Sequence, residues 1–301
     1  MNRRKFLYES SLAFTAYTLM QNGLLSCTSD AKGPSFRITM LRNNIGTYEE
    51  NGGTVAFLLS GDGTVVVDSQ YQKEGKHLVT EMKTRNEQPI RLLINTHHHK
   101  DHTAGNIAFL GIAENILAHS NSRKNQERWA KEQQLEDQQL LPNKVFLDTW
   151  SGQFGDEKVS LDYFGPAHTD GDSIIHFQNA NIAHIGDLVF NRHQPNVDRT
   201  AGSNIKSWMQ VLDKVKNKFD RETIFIFGHA DNGFKVTGSV DDVEKFRDFL
   251  GSLLKFVEGE IRSGKSKEQI MKTKIIPGGE EWGGDRIELG LEGAYEELTK
   301  G

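Results

Sequence analysis

Apolar positions along the chain follow two different periods. Short runs rich in Val, Ile, Leu and Phe lie at 36–41, 54–59, 64–68, 90–94, 116–119, 158–164, 173–177, 181–185 and 223–227. Their length and β-branched content predict strands, several of them buried on both faces. Gly61-Asp62-Gly63 joins the second and third runs and is a strong hairpin signal. Residues 173–177 and 181–185 predict another hairpin. A helical period governs 72–85, 103–110, 204–219 and 240–262, with shorter helical stretches at 266–272 and 285–298. In 204–219 the apolar face is Ile205, Trp208, Met209, Leu212 and Val215. The segment 122–141 is polar, with Trp129, Leu135, Leu140 and Leu141 widely spaced. It predicts an exposed amphipathic helix ending at Pro142, either simply solvated or lying over a site. Strands followed by helices occur twice, which fits an αββα sandwich. No Gly/Ser-rich linker interrupts 36–301, so this stretch is expected to be one domain.

Before residue 36 the pattern changes. Arg3-Arg4-Lys5 precedes a moderately apolar stretch, Ser11 to Met20, and then Leu24-Leu25-Ser26-Cys27. This order predicts a twin-arginine export signal over 1–26 that ends in a lipobox. Cys27 would be the lipid-bearing first residue of the mature chain, and 27–35 a polar tether. The expected location is the periplasm or its membrane surface, with the lipid on Cys27 as the membrane attachment. Cys27 is also the single cysteine, so an internal disulfide is excluded.

The 301 residues suffice for one large domain. A charged fraction of 26% against 36% hydrophobic suits a globular chain with a polar surface. The net charge is −5, and no basic block follows residue 5, so nucleic acid is not an expected partner. A small-molecule substrate is the expected partner. No apolar run reaches the length of a transmembrane helix. Oligomeric state is not legible.

The chemistry concentrates in Thr96-His97-His98-His99-Lys100-Asp101-His102. It follows the apolar run at 90–94 and precedes a helical pattern, so it lies on a loop at a strand end. In extended chain His97 and His99 point the same way and can hold one ion. Asp101 and His102 fall where the chain turns and can hold a second. Imidazole with carboxylate suits zinc, and also iron or manganese. His98, between them, reads as a supporting or structural residue, and His119 as structural.

The cluster resembles the H-x-H-x-D-H signature of the metallo-β-lactamase fold superfamily, and the likeness extends over about 36–250. The resemblance implies the αββα fold and assigns further residues. His168, in Gly165-Pro166-Ala167-His168, matches the third ligand of the first ion, with His97 and His99. His229, after the run at 223–227, matches the last ligand of the second ion, with Asp101 and His102. Asp187, in Gly186-Asp187, matches the carboxylate that bridges both ions in glyoxalase-like members. Asp68 matches a carboxylate that orients a histidine ligand, and equally reads as a helix cap. Asp172 reads as a loop brace. Arg192 and His193 are candidate substrate contacts.

This set implies two zinc ions and a metal-activated water that hydrolyses an ester, thioester, lactone or amide, with Asp101 also accepting a proton. Asp187 stands where β-lactamases of this fold usually carry Cys or Ser, which counts against β-lactam hydrolysis. His99 replaces the Glu of the oxygen-reducing diiron members. The alternatives are a mononuclear iron enzyme resembling persulfide dioxygenases, a β-lactam hydrolase, and a non-catalytic metal-binding lipoprotein. Specificity is expected from loops at 42–53, 122–142 and 191–203, with Gly46 to Gly53 as one rim.

Overall fold

The computed structural model describes residues 36–282 and 286–300. The export signal, lipobox and tether predicted before residue 36 lie outside the described residues.

The first half of the domain runs β1 (Arg37–Arg42), β2 (Ile45–Glu49), β3 (Val55–Ser60), β4 (Gly63–Val67), α1 (Gln72–Arg85), β5 (Ile90–Asn95), the single turn α2 (Lys100–Thr103), β6 (Ala113–His119), α3 (Ser120–Gln133) and β7 (Lys144–Phe146). The second half runs β8 (Thr149–Phe154), β9 (Glu157–Asp162), β10 (Ile174–Phe177), β11 (Ile182–Asn191), α4 (Ile205–Lys218), β12 (Ile224–Ala230), β13 (Thr237–Gly238), α5 (Val240–Arg262), α6 (Lys267–Ile270) and α7 (Ile287–Lys300). One sheet has the order β1-β2-β3-β4-β5-β6-β7 and the other β13-β12-β11-β10-β9-β8. Pairing is parallel from β4 to β7 and between β11 and β12, and antiparallel elsewhere.

The strand period explains the layers. Val65 and Val67 of β4, with Leu92 and Ile94 of β5, face the second sheet and pack with Val159, Leu161, Ile175 and Ile226. Val66 and Leu93, one position off, face outward against Leu78, Val79 and Met82 of α1. The outer face of the second sheet packs against α4, α5 and α7 through Trp208, Leu212, Phe246, Phe249 and Leu291. The result is the expected αββα sandwich. Each fully buried Val, Leu or Ile here adds about 1.5–3 kcal/mol over an exposed one. Among the described residues no helix is long and apolar enough to cross a membrane.

Several local expectations fail. Ile45–Glu49 is a strand, where a loop was expected, and of the rim expected over Gly46 to Gly53 it is Gly52 that lines the cavity over the donors. The helix expected over 122–141 spans Ser120–Gln133 and stops at Gln134, which takes a left-handed φ of 56°. β7 and β8 were not expected at all. β8 alternates exposed and partly buried positions and contains Gly152, so it carries little apolar signal. β11 continues through Asp187 to Asn191 instead of ending at 185.

Candidate metal centre

The donors gather where the parallel strands end, the usual place for a site in such sheets. After β5 ends at Asn95 the chain bends through Thr96, His97 and His98, where an extended run was expected. It turns into α2 at His99, whose φ and ψ are −59° and 147°. His97 and His99 nonetheless turn their rings toward each other, while Asp101 and His102 sit in the first helical turn. Thr103 Oγ1 closes the corner by donating to the carbonyls of His98 and His99.

The other donors come from the second sheet. The loop carrying His168 is braced by Asp172, whose carboxylate accepts from Thr169 N–H at 2.7 Å and Thr169 Oγ1 at 2.8 Å. Asp187 leaves an irregular stretch of β11: the register with β12 shifts on both sides of Gly186, which has φ +51°. His229 pairs with Phe190, one position before the ladder ends at Ala230 on β12.

Two donor groups result. His97 Nε2 lies 3.1 Å from His99 Nδ1, and His168 Nε2 lies 2.9 Å from the same atom. Asp187 Oδ2 stands 3.4 Å from His168 Nε2 and 3.7 Å from His97 Nε2. In the second group, His102 Nε2 and His229 Nε2 are 3.3 Å apart, and Asp101 Oδ2 is 3.1 Å from His229 Nε2. Asp187 belongs here too, with Oδ1 3.1 Å from His102 Nε2 and Oδ2 3.5 Å from His229 Nε2. One carboxylate thus touches both groups.

Protonation shows that these atoms fit cations. His97 Nδ1–H donates to Thr96 Oγ1 at 3.0 Å, whose hydroxyl donates in turn to Asp68 Oδ2 at 2.7 Å. His99 Nε2–H donates to Asp198 Oδ2, and His168 Nδ1–H to the Asn196 carbonyl at 2.8 Å. His102 Nδ1–H donates to Asp68 Oδ2 at 2.8 Å. Each of these four imidazoles, when singly protonated, therefore turns its lone-pair nitrogen toward the centre. Three such lone pairs within about 3 Å repel unless a cation lies between them. Asp187 Oδ1 is buried and accepts no well-directed hydrogen bond, which also suits a metal ligand.

The electrostatics separate the two groups. Burial holds His168 down at about 3 and, with His102, holds His97 well below its ordinary value. Burial also opposes charge on His102, but Asp187, Asp101 and Asp68 together raise it well above its ordinary value. His229 is raised in the same way, by Asp187 and Asp101 against burial. Burial would raise Asp101, but His102 and His229 hold it below the ordinary carboxylate range.

Asp68 sits behind the site, fully buried, and also accepts from Thr96 N–H at 2.8 Å. It caps no helix: the residue before α1 is Tyr71. His98 is buried, with Nε2 3.6 Å from Asp198 Oδ2. His119 is a structural residue, bonded to the Leu147 carbonyl and stacked on Tyr163.

A cavity of about 660 Å³ opens over the donors and includes His193 in its wall. Arg192 is a correction, for it does not line this cavity. Its guanidinium is buried against Trp282 at 4.8 Å and bonded to Glu281 at 2.8 Å. The lining also includes residues that the sequence pattern did not single out: Asp198, Tyr71 and Arg286. Asp198 carried a faint signal, an Asp two residues before Thr200, which is a local capping pattern.

Residues 50–229 match the Metallo-beta-lactamase superfamily. That stretch is more than half of the chain and contains every donor described above. The chain belongs to this superfamily and is a metal-dependent hydrolase. Metallo-beta-lactamase IND-1 of Chryseobacterium indologenes is 23% identical over 216 residues, 68% of this chain and 87% of that protein. Metallo-beta-lactamase type 2 of Bacillus sp. (strain 170) is 24% identical over 209 residues, 66% and 77% of the two chains. The solved metallo-beta-lactamase from Pontibacter korlensis shares the fold, with a TM-score of 0.61 at 17% identity, over 72% of this chain and 99% of that one.

Proposed function

We propose that this protein is a dinuclear zinc hydrolase acting on an ester, thioester, lactone or amide bond of a small molecule. The observation that carries the reading is the sharing of Asp187: its two oxygens reach His97 and His168 on one side, and His102 and His229 on the other. His97, His99 and His168 would hold one ion, and Asp101, His102 and His229 the other. Ions held there supply Lewis acidity, which lowers the pKa of water and polarises a carbonyl. Asp101, facing the cavity beside His229, would take the proton of the attacking water. Asp68 and Asp198 fix the tautomers of His102 and His99, so the donors are oriented before an ion arrives.

The complete second donor group favours two ions over the single iron of a dioxygenase. Hydrolysis of β-lactams is the second reading, favoured by the two curated relatives that bear that name. The Arg3-Arg4 pair and Cys27 support export as a lipoprotein. Elemental analysis of the form starting at Thr28, followed by a screen of lactones, thioesters, esters and β-lactams, tests the proposal. About two zinc ions per chain with hydrolysis of one class supports it. One iron per chain, or full metal loading with no hydrolysis of any class, overturns it.

A further inference from the structure

The hydrolase reading leaves the substrate open, and the inference drawn here deepens and rests on that reading. Three cationic side chains from separate parts of the chain face the one cavity: Lys100 in α2, Arg128 on α3 and Arg286 just before α7. The acids in its wall are already engaged. Asp101 and Asp187 belong to the donor groups, and Asp198 accepts from His99. Glu132 remains, and it reaches only 3.8 Å from Arg128, with both side chains open to solvent. Such an exposed contact contributes little. Among the described residues neither Lys100 nor Arg286 has an acidic partner.

Both arginines line the cavity over the metal centre. Arg128 lies near His98, adding to the effect of burial that holds this imidazole at about 3. Arg286 lies near Tyr71, where it opposes the upward push of burial and of Asp101. The wall that carries Arg128 is fixed, because Gln126 donates to Asn95 at 3.2 Å and Asn125 to Asp170 at 2.7 Å on the buried side of α3. The same cavity also offers apolar surface from Trp129, Phe190 and Leu289. A planar guanidinium on a fixed wall matches an oxyanion with two oxygens, which a neutral substrate would leave unused.

We propose that the substrate is an anionic acyl compound. A carboxylate-class group, remote from the scissile bond, is received by Arg128 and Arg286 while the intervening apolar part lies on Trp129 and Leu289. The test compares two esters of equal chain length on the metal-loaded protein: p-nitrophenyl hexanoate and the p-nitrophenyl monoester of adipic acid. The adipate monoester should have the higher kcat/KM, and added salt should shrink its advantage. In the doubly substituted Arg128→Gln, Arg286→Gln protein the ratio of the two kcat/KM values should fall roughly tenfold or more. Equal kcat/KM for the two esters in the unaltered protein, or a ratio that the double substitution leaves intact, overturns the proposal. If the protein holds both ions and cleaves neither ester, the esterase side of the hydrolase reading is at fault, and binding decides the subsite. Saturable calorimetric binding of benzenesulfonate that the double substitution abolishes then supports it. Absence of that binding overturns it.

Discussion

His99 and Asp198 stand 99 positions apart in the sequence and meet at 3.0 Å, Nε2–H of the imidazole donating to Oδ2 of the carboxylate. That contact decides that Nδ1 of His99, not Nε2, turns toward His97 and His168. The carboxylate is itself held, since Oδ1 accepts from Thr200 N–H at 3.0 Å and Ala201 N–H at 3.1 Å. Asp198→Ala should therefore weaken metal binding at the three-histidine group by about 10–100-fold. Competition with a coloured chelator measures it. Unchanged affinity for both ions would mean that Asp198 does not orient His99.

Asp68 serves the other group from behind. Its carboxylate accepts from Thr96 N–H, Thr96 Oγ1 and His102 Nδ1–H, all inside the protein. Asp68→Asn keeps the shape and suits the left-handed φ of 67°, which Asn tolerates. An amide presents a donor to a place built of donors, so at least one buried partner is left unsatisfied at about 1–3 kcal/mol. The expected outcome is a melting temperature lower by several degrees and loss of the ion bound by His102. A variant with unaltered melting and metal content would show that His102 needs no carboxylate.

What the sequence discloses of this site follows from distance along the chain. His97, His99, Asp101 and His102 are legible because one strand end and one helical turn bring them together. Asp187 and His229 are legible only through a likeness to a known pattern, since two irregular strands far apart must meet to place them. Asp198 is barely legible, because His99 reaches it only in the folded chain, and Arg286 is not legible, because only the fold brings it to the cavity wall. The sheets show the same division. β4 and β5 read clearly from Val65 to Val67 and Leu92 to Ile94, buried on both faces. The edge strand β8 shows mostly polar and small residues and does not.

Gly228 leaves room for the Asp187 carboxylate. A Cβ there would fall 1.9 Å from Asp187 Oδ1 and 2.9 Å from the Gly186 carbonyl carbon. Gly228→Ala must move the Asp187 carboxylate, and the backbone of β11 gives no room for it. Overpacking of this kind costs about 1–3 kcal/mol, so the fold should survive. The metal content should not, falling from two ions per chain toward one or none by elemental analysis. Two tightly held ions in a folded Gly228→Ala protein would mean that Asp187 does not bridge.

Arg192 belongs to the scaffold. It takes a left-handed φ of 58° and lies between Trp282 and Phe234, with Glu281 at 2.8 Å and Asp242 at 4.0 Å. It thereby ties the end of β11, which leads to His193, to the segment around Trp282. Arg192→Ala removes cation–π contacts worth about 0.5–2 kcal/mol and the packing of its stem. Melting should fall by a few degrees, and limited proteolysis should cut near 282 sooner. A kcat/KM loss without any change in melting or proteolysis would instead make Arg192 a substrate contact.

The two donor groups should part company as the solution is acidified. A ligand binds metal only after it has released its proton. His97 and His168 are held low, the latter at about 3, so their lone pairs stay free far into acid. His102 and His229 are raised above their ordinary value by Asp187 and Asp101 against burial, so they hold their protons to higher pH than His97 and His168 do. An ion entering that group must displace those protons, and each step down in pH makes the exchange less favourable. On lowering the pH from about 8 through the usual histidine range near 6.5, the ion at Asp101, His102 and His229 should leave first. Metal content after dialysis at stepped pH should thus pass from two through a plateau near one, with the remaining ion retained into stronger acid. Simultaneous loss of both ions would show that the shared Asp187 couples them more strongly than proton competition separates them.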